Sequence, residues 1–528
     1  MQTPTVINGF LGHGVHRVTD RFGDRDRPGP NVAVTGLEIP GAASGMTRCS
    51  VCRTASDLAQ AMQLQAGGSL TGLGFLPLLG IKRDFFTSLK TTVYSLSVVV
   101  HAWRVTSAAS LSEPHLRPDV TLPCGAGDLD EFVLRYGDSY ISSIDLGGEF
   151  IGVYTFRSET REQSDKVKNE LALGGLVSGF QLGVDLSQTL ENVSHSTATS
   201  YDFKYSVRGT SQTPDLRAEE MVAYAQSFGA GGFEQPALLN LTTLGYEIVP
   251  ELDQVFLPVA ANRDRFISNG GLLRQQQRVQ ELINQIRETR ESLKVYGISL
   301  ADAEELDRNQ QIAESDLSTL ANLVSAYKAA PTAPLNVQRL ATLQLNSPRI
   351  VASVSEDPAT LIGNIEAPNG NRFDFPFDAS TAVQKRVRLR GISLEAGWRI
   401  DKLTLRYQSR GEAAEKVCVY GGNLGLRQGE QSLGEGEGLS AIYAEFGPRN
   451  IDKLRLFNGT SWVLGGGGDK GDKLHPVNWQ RSSDQVVLGF TGRSDNSEKG
   501  ALFALQAVVA RFERIEWEPI DPDELLDS

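Results

Sequence analysis

Tyr136-Gly137-Asp138-Ser139-Tyr140-Ile141-Ser142-Ser143-Ile144-Asp145-Leu146-Gly147-Gly148-Glu149-Phe150-Ile151-Gly152-Val153-Tyr154-Thr155-Phe156 is the stretch on which the fold turns. Ser139 to Phe156 reads as one long strand, rich in β-branched and aromatic residues and interrupted by Gly147-Gly148. Glycines inside a strand mark a bend, because a Cβ there would restrict both backbone and close packing. Just upstream, Asp128–Tyr136 predicts a short helix. Further upstream, in Thr91–Ser107, Tyr94, Leu96, Val98, Val100 and Ala102 fall on alternate positions, the period of a strand. Its other face mixes Ser95, Ser97 and His101 with Val93, Val99 and Trp103, which predicts cover on both sides.

Downstream, residues 157–170 are polar, and alternation then resumes. Leu176, Phe180, Leu182, Val184, Leu186 and Leu190 share one parity, while Gly179, Gln181, Gly183, Asp185, Ser187 and Thr189 share the other. As a helix this segment has no clean apolar stripe, and glycines cost a helix about 1 kcal/mol each relative to Ala. As a strand it has one face fit for lipid and one for water, the demand on a transmembrane β-strand of about 9–11 residues. Taken alone it also fits a Gly-rich helix or an ordinary sheet strand. Tyr201, Phe203, Tyr205 and Val207 alternate with Asp202, Lys204, Ser206 and Arg208 in a further strand. Helical spacing appears in 272–293 and 301–327, with Gly297 between them, and predicts a helical hairpin. Pro331 and Pro334 mark a linker. From about Leu340 to Phe512 the pattern is all β, with Gly-rich turns. Within it Arg399-Ile400-Asp401-Lys402-Leu403-Thr404-Leu405 recurs as Asn450-Ile451-Asp452-Lys453-Leu454-Arg455-Leu456, which points to repeated units. The tail from Glu513 is acidic and reads as a solvated end.

Composition narrows the function. The chain has 528 residues, too many for one ordinary core, so two or three domains are expected. With 51 basic against 64 acidic residues it is no general nucleic-acid binder. Four cysteines cannot build a disulfide framework. Cys49 and Cys52 form a CxxC, but Cys124 and Cys418 stand alone, so no four-ligand zinc pattern arises; the pair is left as one optional disulfide or free thiols. No apolar run approaches the roughly 18–20 residues of a spanning helix. Met1 to Phe10 lacks the basic start and apolar core of a signal peptide. The chain is expected to be soluble, and released or secreted without such a leader.

Catalytic patterns are missing. Gly466-Gly467-Gly468-Asp469-Lys470-Gly471 satisfies GxGxxG by letter, yet no helix pattern follows to receive a pyrophosphate, so it reads as a turn. There is no GxxxxGK[ST], HExxH or GxSxG, and His13, His16, His101, His115, His195 and His475 lack metal spacing. No enzyme, cofactor or metal is expected.

Two resemblances organise these readings. Tyr136-Gly137-Asp138-Ser139-Tyr140, six residues, then Gly147-Gly148 resembles the signature of the membrane-attack-complex/perforin family. Asp138 stands where Thr or Ser is usual, and Ser139 where His is frequent. The resemblance implies that residues 55–90 and 158–197 are helical clusters that refold into membrane-spanning hairpins. It names Tyr136, Gly137, Ser139, Tyr140, Gly147 and Gly148 as signature residues. It also places Leu176, Phe180, Leu182, Val184 and Leu186 on a membrane-inserting hairpin. The C-terminal region is similar to jacalin-like lectins, three-sheet β-prisms. The carriers are Gly397-Trp398-Arg399-Ile400-Asp401-Lys402-Leu403-Thr404-Leu405-Arg406-Tyr407, Gly421-Gly422, and Val487-Leu488-Gly489-Phe490-Thr491-Gly492-Arg493-Ser494. That likeness implies a carbohydrate loop formed by Gly421, Gly422, Asp495, Asn496 and Glu498. Asp495-Asn496-Ser497-Glu498-Lys499 replaces the family's Gly-aromatic-aromatic-Leu-Asp, so a prism that meets only protein or lipid stays open.

The expected fold is α+β. Residues 1–335, with the hairpin near 272–328, form a perforin-like domain: a bent, twisted antiparallel sheet flanked by helical clusters. Residues 336–515 form a jacalin-like β-prism, and 516–528 an acidic tail. The expected function is that of a pore-forming toxin, insecticidal or directed at competitors, or a defence effector. It binds a target-cell membrane through a lipid or glycan receptor, assembles as a homo-oligomeric ring and inserts a transmembrane β-barrel, causing cytolysis. The alternative is a non-lytic membrane- or carbohydrate-binding assembly protein on the same fold.

Overall fold

Alternating segments become strands, and the longest of them lie at the middle of one sheet. The computed structural model describes residues 10–18, 21–22, 32–53, 57–58, 61–62, 85–86, 88–89, 95–156, 161–173, 186–197, 201–268, 270–344, 346–363, 370–379, 382–383, 385–409, 415–447, 449–459, 461–467 and 475–518. The chain separates into two units, Met1–Glu281 with Ala313–Leu343, and Leu282–Ile312 with Gln344–Glu524. It is a mixed α/β protein in which sheets predominate.

The strands of the first unit are β1 (Gly14–His16), β2 (Arg21–Phe22), β3 (Val34–Gly41), β4 (Ser44–Cys52), β5 (Leu96–Leu116), β6 (Ser139–Phe156), β7 (Tyr201–Arg208) and β8 (Ala237–Gly245). β5 and β6 pair antiparallel from Leu96 opposite Phe156 to Ser110 opposite Ser143. The far edge of β5 is shared, β4 covering Ser97–Val105 and β3 covering Ala108–Leu116. The far edge of β6 is shared in the same way, β8 covering Ser139–Gly147 and β7 covering Glu149–Phe156. The break falls at one level across the sheet. There the register of β5 shifts between Val105 and Ser107, a bulge opposite Gly147 and Leu146. A Cβ at Gly147 would overlap the Arg104 carbonyl, and one at Gly148 would overlap the Phe233 ring. The glycine pair is therefore a site of close approach at the bend, as its place in a long strand predicted.

Two helical segments cover opposite faces of this sheet. Between β6 and β7, helices Arg161–Leu173 and Leu186–Thr197 bring Val167, Leu171, Leu190 and Val193 onto Leu96, Val98, Val100, Phe150, Tyr154 and Phe156. Between β4 and β5, Leu58, Ala61, Met62 and Leu89 pack on Val99, Ile151 and Val153 of the other face. Leu186–Leu190 is helical in this structure, so its period-two alternation does not make it a strand here. Leu190 and Val193, one helical turn apart, gain a buried position on the sheet that period-two counting within the segment does not register. Leu176, Phe180, Leu182 and Val184 lie outside the described residues. The CxxC is settled by the same geometry. Cys49 joins one face of β4 and Cys52 the other, so the two free thiols point apart and neither pair nor chelate together.

The second unit holds β9 (Ser347–Glu356), β10 (Ile362–Gly363), β11 (Asn371–Phe373), β12 (Arg388–Ala396), β13 (Ile400–Gln408), β14 (Lys416–Gly421), β15 (Leu426–Ser432), β16 (Ala441–Phe446), β17 (Ile451–Asn458), β18 (Ser461–Gly467), β19 (His475–Gln480), β20 (Gln485–Ser494) and β21 (Leu502–Glu518). Its sheets run β14-β13-β12-β15, β18-β17-β16-β19 and β10-β21-β20-β11, with β9 added on β21. All three have one plan: a central hairpin with one strand on each side. The equivalence extends to single residues. Gly421, Gly467 and Gly363 sit opposite Lys402, Lys453 and Ala504, each at positive φ (100°, 102° and 78°). The repeated heptad of the sequence is thus β13 and β17 in the same position of two sheets. Leu389, Leu394, Leu403, Leu405, Ile442, Leu454, Leu456, Phe490 and Leu505 share one core among the three sheets, a three-sheet prism.

The helical hairpin forms as its spacing predicts, as Leu272–Tyr296 and Ala303–Ala329. Its middle belongs to the second unit rather than wholly to residues 1–335. Leu282, Ile286, Leu293, Tyr296 and Leu306 find apolar cover on Ala382, Val383, Val387, Leu488, Ala510 and Phe512. Tyr296 Oη donates to the Val387 carbonyl at 3.0 Å.

Candidate functional site

Three turns of the second unit meet around Asp401. The turn Gly397–Arg399 joins β12 to β13, Gly422–Gly425 joins β14 to β15, and Asp495–Ala501 joins β20 to β21. Gly421 N–H donates to Asn496 Oδ1 at 2.9 Å, Asn423 N–H to the Glu498 carbonyl at 3.1 Å, and Arg399 Nη2 to the Lys499 carbonyl at 2.9 Å. Gly422 N–H donates to the Asp401 carbonyl at 2.9 Å, and a Cβ on Gly422 would stand 2.5 Å from Gly500 N. Only a residue without a side chain lets these loops close on each other.

The structure therefore brings together Gly421, Gly422, Asp495, Asn496 and Glu498. It also assigns several of them a structural task. Asp495 uses both carboxylate oxygens on Ser497, at 2.9 and 3.0 Å. Asn496 Oδ1 is shared by Gly421 N–H and Ser494 Oγ. A third carboxylate at the junction, Asp401, which sequence reasoning did not select, is buried. Arg399 Nε holds its Oδ1 at 3.1 Å, and a Cβ at Gly425 would come within 2.9 Å of Oδ2. Beside it the Trp398 ring is 59% exposed with the Arg399 guanidinium 4.9 Å from its centroid. The recurrence of Asp401 as Asp452 in the repeated heptad reflects the same structural position in two sheets, each aspartate buried with a positive-φ glycine over its carbonyl. The exposed group at this junction is the Trp398 indole; the Gly421 and Gly422 amides and the Asp401 carboxylate are spent on holding the turns together.

The signature residues of the first unit build a buried node. Gly137 (φ 82°) ends helix Ala126–Tyr136, its N–H on the Val133 carbonyl at 2.7 Å. Tyr246 Oη donates to the Tyr136 carbonyl at 2.8 Å, and the Tyr140 and Tyr246 rings lie 5.6 Å apart. Burial pushes the Tyr140 phenol up to about 12. Asp138 is wholly buried and accepts from Arg17 N–H, Ser139 Oγ and Tyr327 Oη, each at 3.0 Å. Arg263 Nη1 donates to the Asp138 carbonyl at 3.0 Å, and its guanidinium pairs with Glu247 at 2.7 Å. Asp138 is thus the acceptor that ties β6 to the helix ending at Ala329.

Of the proposed inserting residues, Leu186 opens helix Leu186–Thr197, and the other four fall outside the described residues. Gly466 and Gly467 close β18 and the rest of the GxGxxG letters lie outside the described residues. Among the described residues no helix is long and apolar enough to cross a membrane, and no group of three His, Cys, Asp or Glu is arranged for a metal.

No protein-family model and no curated protein matches the chain. Solved structures similar to part of it include jacalin-like lectins. A Malaysian banana lectin is 17% identical, covers 30% of this chain and 98% of its own, and gives a TM-score of 0.23. A mannose binding jacalin related lectin from Ananas comosus is 19% identical over 30% of this chain and 96% of its own, with a TM-score of 0.23. Artocarpin complexed with methyl-α-mannose is 17% identical over 28% and 95%, again with a TM-score of 0.23.

Proposed function

We propose that the chain is a non-enzymatic, glycan-directed pore former: the loops around Asp401 hold a sugar on a target membrane, and the first unit perforates that membrane. The observation that carries the perforation is the pair of connections on the central sheet. Residues 53–95 join β4 to β5 and residues 157–200 join β6 to β7, and in both cases the joined strands are antiparallel neighbours or flank one. Cys52 stands opposite Ser97, Leu96 opposite Phe156, and Phe156 opposite Tyr201. Unfolding either segment lets the flanking strands lengthen in register. Each arm then gains about 20 residues at about 3.3 Å each, well beyond the about 9–11 residues that cross a bilayer as a strand. Backbone groups satisfied between strands are what a bilayer tolerates when no spanning helix exists. A ring of copies closes the sheet edges β3–β4 and β7–β8 on one another. In this reading the protein acts at the surface of a target cell, after release as a soluble chain, and needs no cofactor.

The non-lytic alternative shares the glycan step, and it is favoured by the lectins being the similar structures. One experiment separates them. Release of dye from vesicles bearing mannosides, with electron microscopy for rings, supports perforation; binding without release leaves an assembly protein. Trp398→Ala keeps the fold and lowers binding to immobilised mannosides at least tenfold. Unchanged binding refutes the assignment of the sugar site.

A further inference from the structure

A buried ionic cluster lies on the sheet face beneath the segment that joins β4 to β5. His101 of β5 is fully buried and its two ring nitrogens meet two oxygens. Nδ1 is 3.1 Å from the Ala61 carbonyl, and Nε2 is 2.9 Å from Glu149 Oε1 on β6. Arg208 of β7 pairs with Glu149 Oε2 at 2.7 Å, and both side chains are more than nine-tenths buried. Arg48 of β4 donates to the same Ala61 carbonyl at 2.8 Å, and its guanidinium stands 5.3 Å from the Trp103 ring, which lies 4.8 Å from the imidazole. Among the described residues, Cys52 and Asp57 are further ionisable groups on the Arg48 side.

The proton count follows from the acceptors. A carbonyl oxygen only accepts, so Nδ1 carries a hydrogen. A carboxylate only accepts, so beside Glu149 in its ion pair with Arg208 Nε2 carries one too. With both oxygens accepting, the imidazole of the docked state carries both protons as an imidazolium. Once the Ala61 segment leaves, His101 faces water, where an imidazole sheds its proton to solvent near pH 6.5.

We propose that His101 is a proton-held catch that keeps Leu58, Ala61 and Met62 on the sheet. Deprotonation leaves one ring nitrogen's lone pair facing an oxygen lone pair, and the segment is released. The sign follows from the coupling of docking to proton uptake. The hold is complete below about pH 6.5 and weakens as pH rises through the value at which the docked imidazolium loses its proton. Lys204 Nζ on the Ser88 carbonyl adds a second tie that does not depend on His101. The biological consequence rests on the perforation reading; the catch itself does not.

The test is amide hydrogen exchange of peptides covering Leu58, Ala61 and Met62 in the full chain between pH 6 and 9, corrected for intrinsic base catalysis. Protection should fall by up to tenfold per pH unit over the window of release, the slope of a single linked proton. In Glu149→Gln the amide N–H donates to a neutral imidazole, which keeps its Nδ1–H on Ala61, and the slope should flatten. If that variant does not fold, the wild-type slope alone decides. Protection that is flat with pH in the wild type, or a slope unchanged in a folded Glu149→Gln, overturns the catch. Dye release measured in parallel keeps the two readings apart. A pH-dependent exchange with no release at any pH sustains the catch and removes perforation, and release with flat exchange does the reverse.

Discussion

Leu171→Ala asks whether the helices on the sheet are a store of stability that insertion must spend. Leu171 is fully buried on helix Arg161–Leu173, and with Val167, Leu190 and Val193 it packs on the β5–β6 face. Truncating a fully buried leucine costs about 2–5 kcal/mol, partly as lost transfer and partly as the cavity left behind. That cost falls on the docked state, where the sheet side of the cavity is Val98, Val100, Phe150 and Tyr154 and cannot collapse freely. If the helix leaves the sheet before the rate-limiting step, about 3 kcal/mol removed from docking accelerates release by about a hundredfold. The assay is the rate of dye release from mannoside-bearing vesicles, with hydrogen exchange of helix Arg161–Leu173 as the measure of docking. Lost protection together with an unchanged or slower release rate would refute the idea that undocking gates insertion.

Three further outcomes test the architecture. Gly148→Val forces a side chain into the Phe233 ring and should destabilise the first unit by about 1–3 kcal/mol in denaturant unfolding; adding Phe233→Ala should return part of that loss, and no rescue would place the strain elsewhere. Tyr327→Phe removes one of three donors from a buried carboxylate and should cost about 1.5–3 kcal/mol. Burial, and then the Asp138 charge, raise the Tyr327 phenol, so its contribution is intact below about pH 10 and fades only as pH rises through the raised value. A wild-type and Tyr327→Phe pair with equal stability at pH 7 would contradict this. Burial pushes the Cys49 thiol up to about 12 and raises Cys52 as well, so at pH 8 a thiol reagent should label exposed Cys124 first and reach Cys49 and Cys52 only on unfolding.

The long strand Ser139–Phe156, its glycine pair, the helix before Gly137 and the hairpin of 272–329 were legible because each is written in neighbouring residues. Alternation of period two and stripes of period 3.6 need no partner to be seen. The recurrence of Arg399–Leu405 as Asn450–Leu456 likewise announced repeated sheets. Periodicity within 176–190 did not show helix Leu186–Thr197, since Leu190 and Val193 are buried by a sheet whose strands are scattered along the chain.

What the sequence by itself determined is the inventory of strands, the bend and the repeated β unit, all consequences of local spacing and of glycine's missing side chain. Only the tertiary structure decided which residues meet. It set Cys49 and Cys52 on opposite faces, engaged both Asp495 carboxylate oxygens on Ser497 and buried Asp401 against Arg399 where three turns meet. It also gathered His101, Glu149 and Arg208 from three strands into one buried cluster. The physical reason is register: antiparallel pairing puts residues about fifty positions apart side by side, and no pattern within either strand specifies which ones.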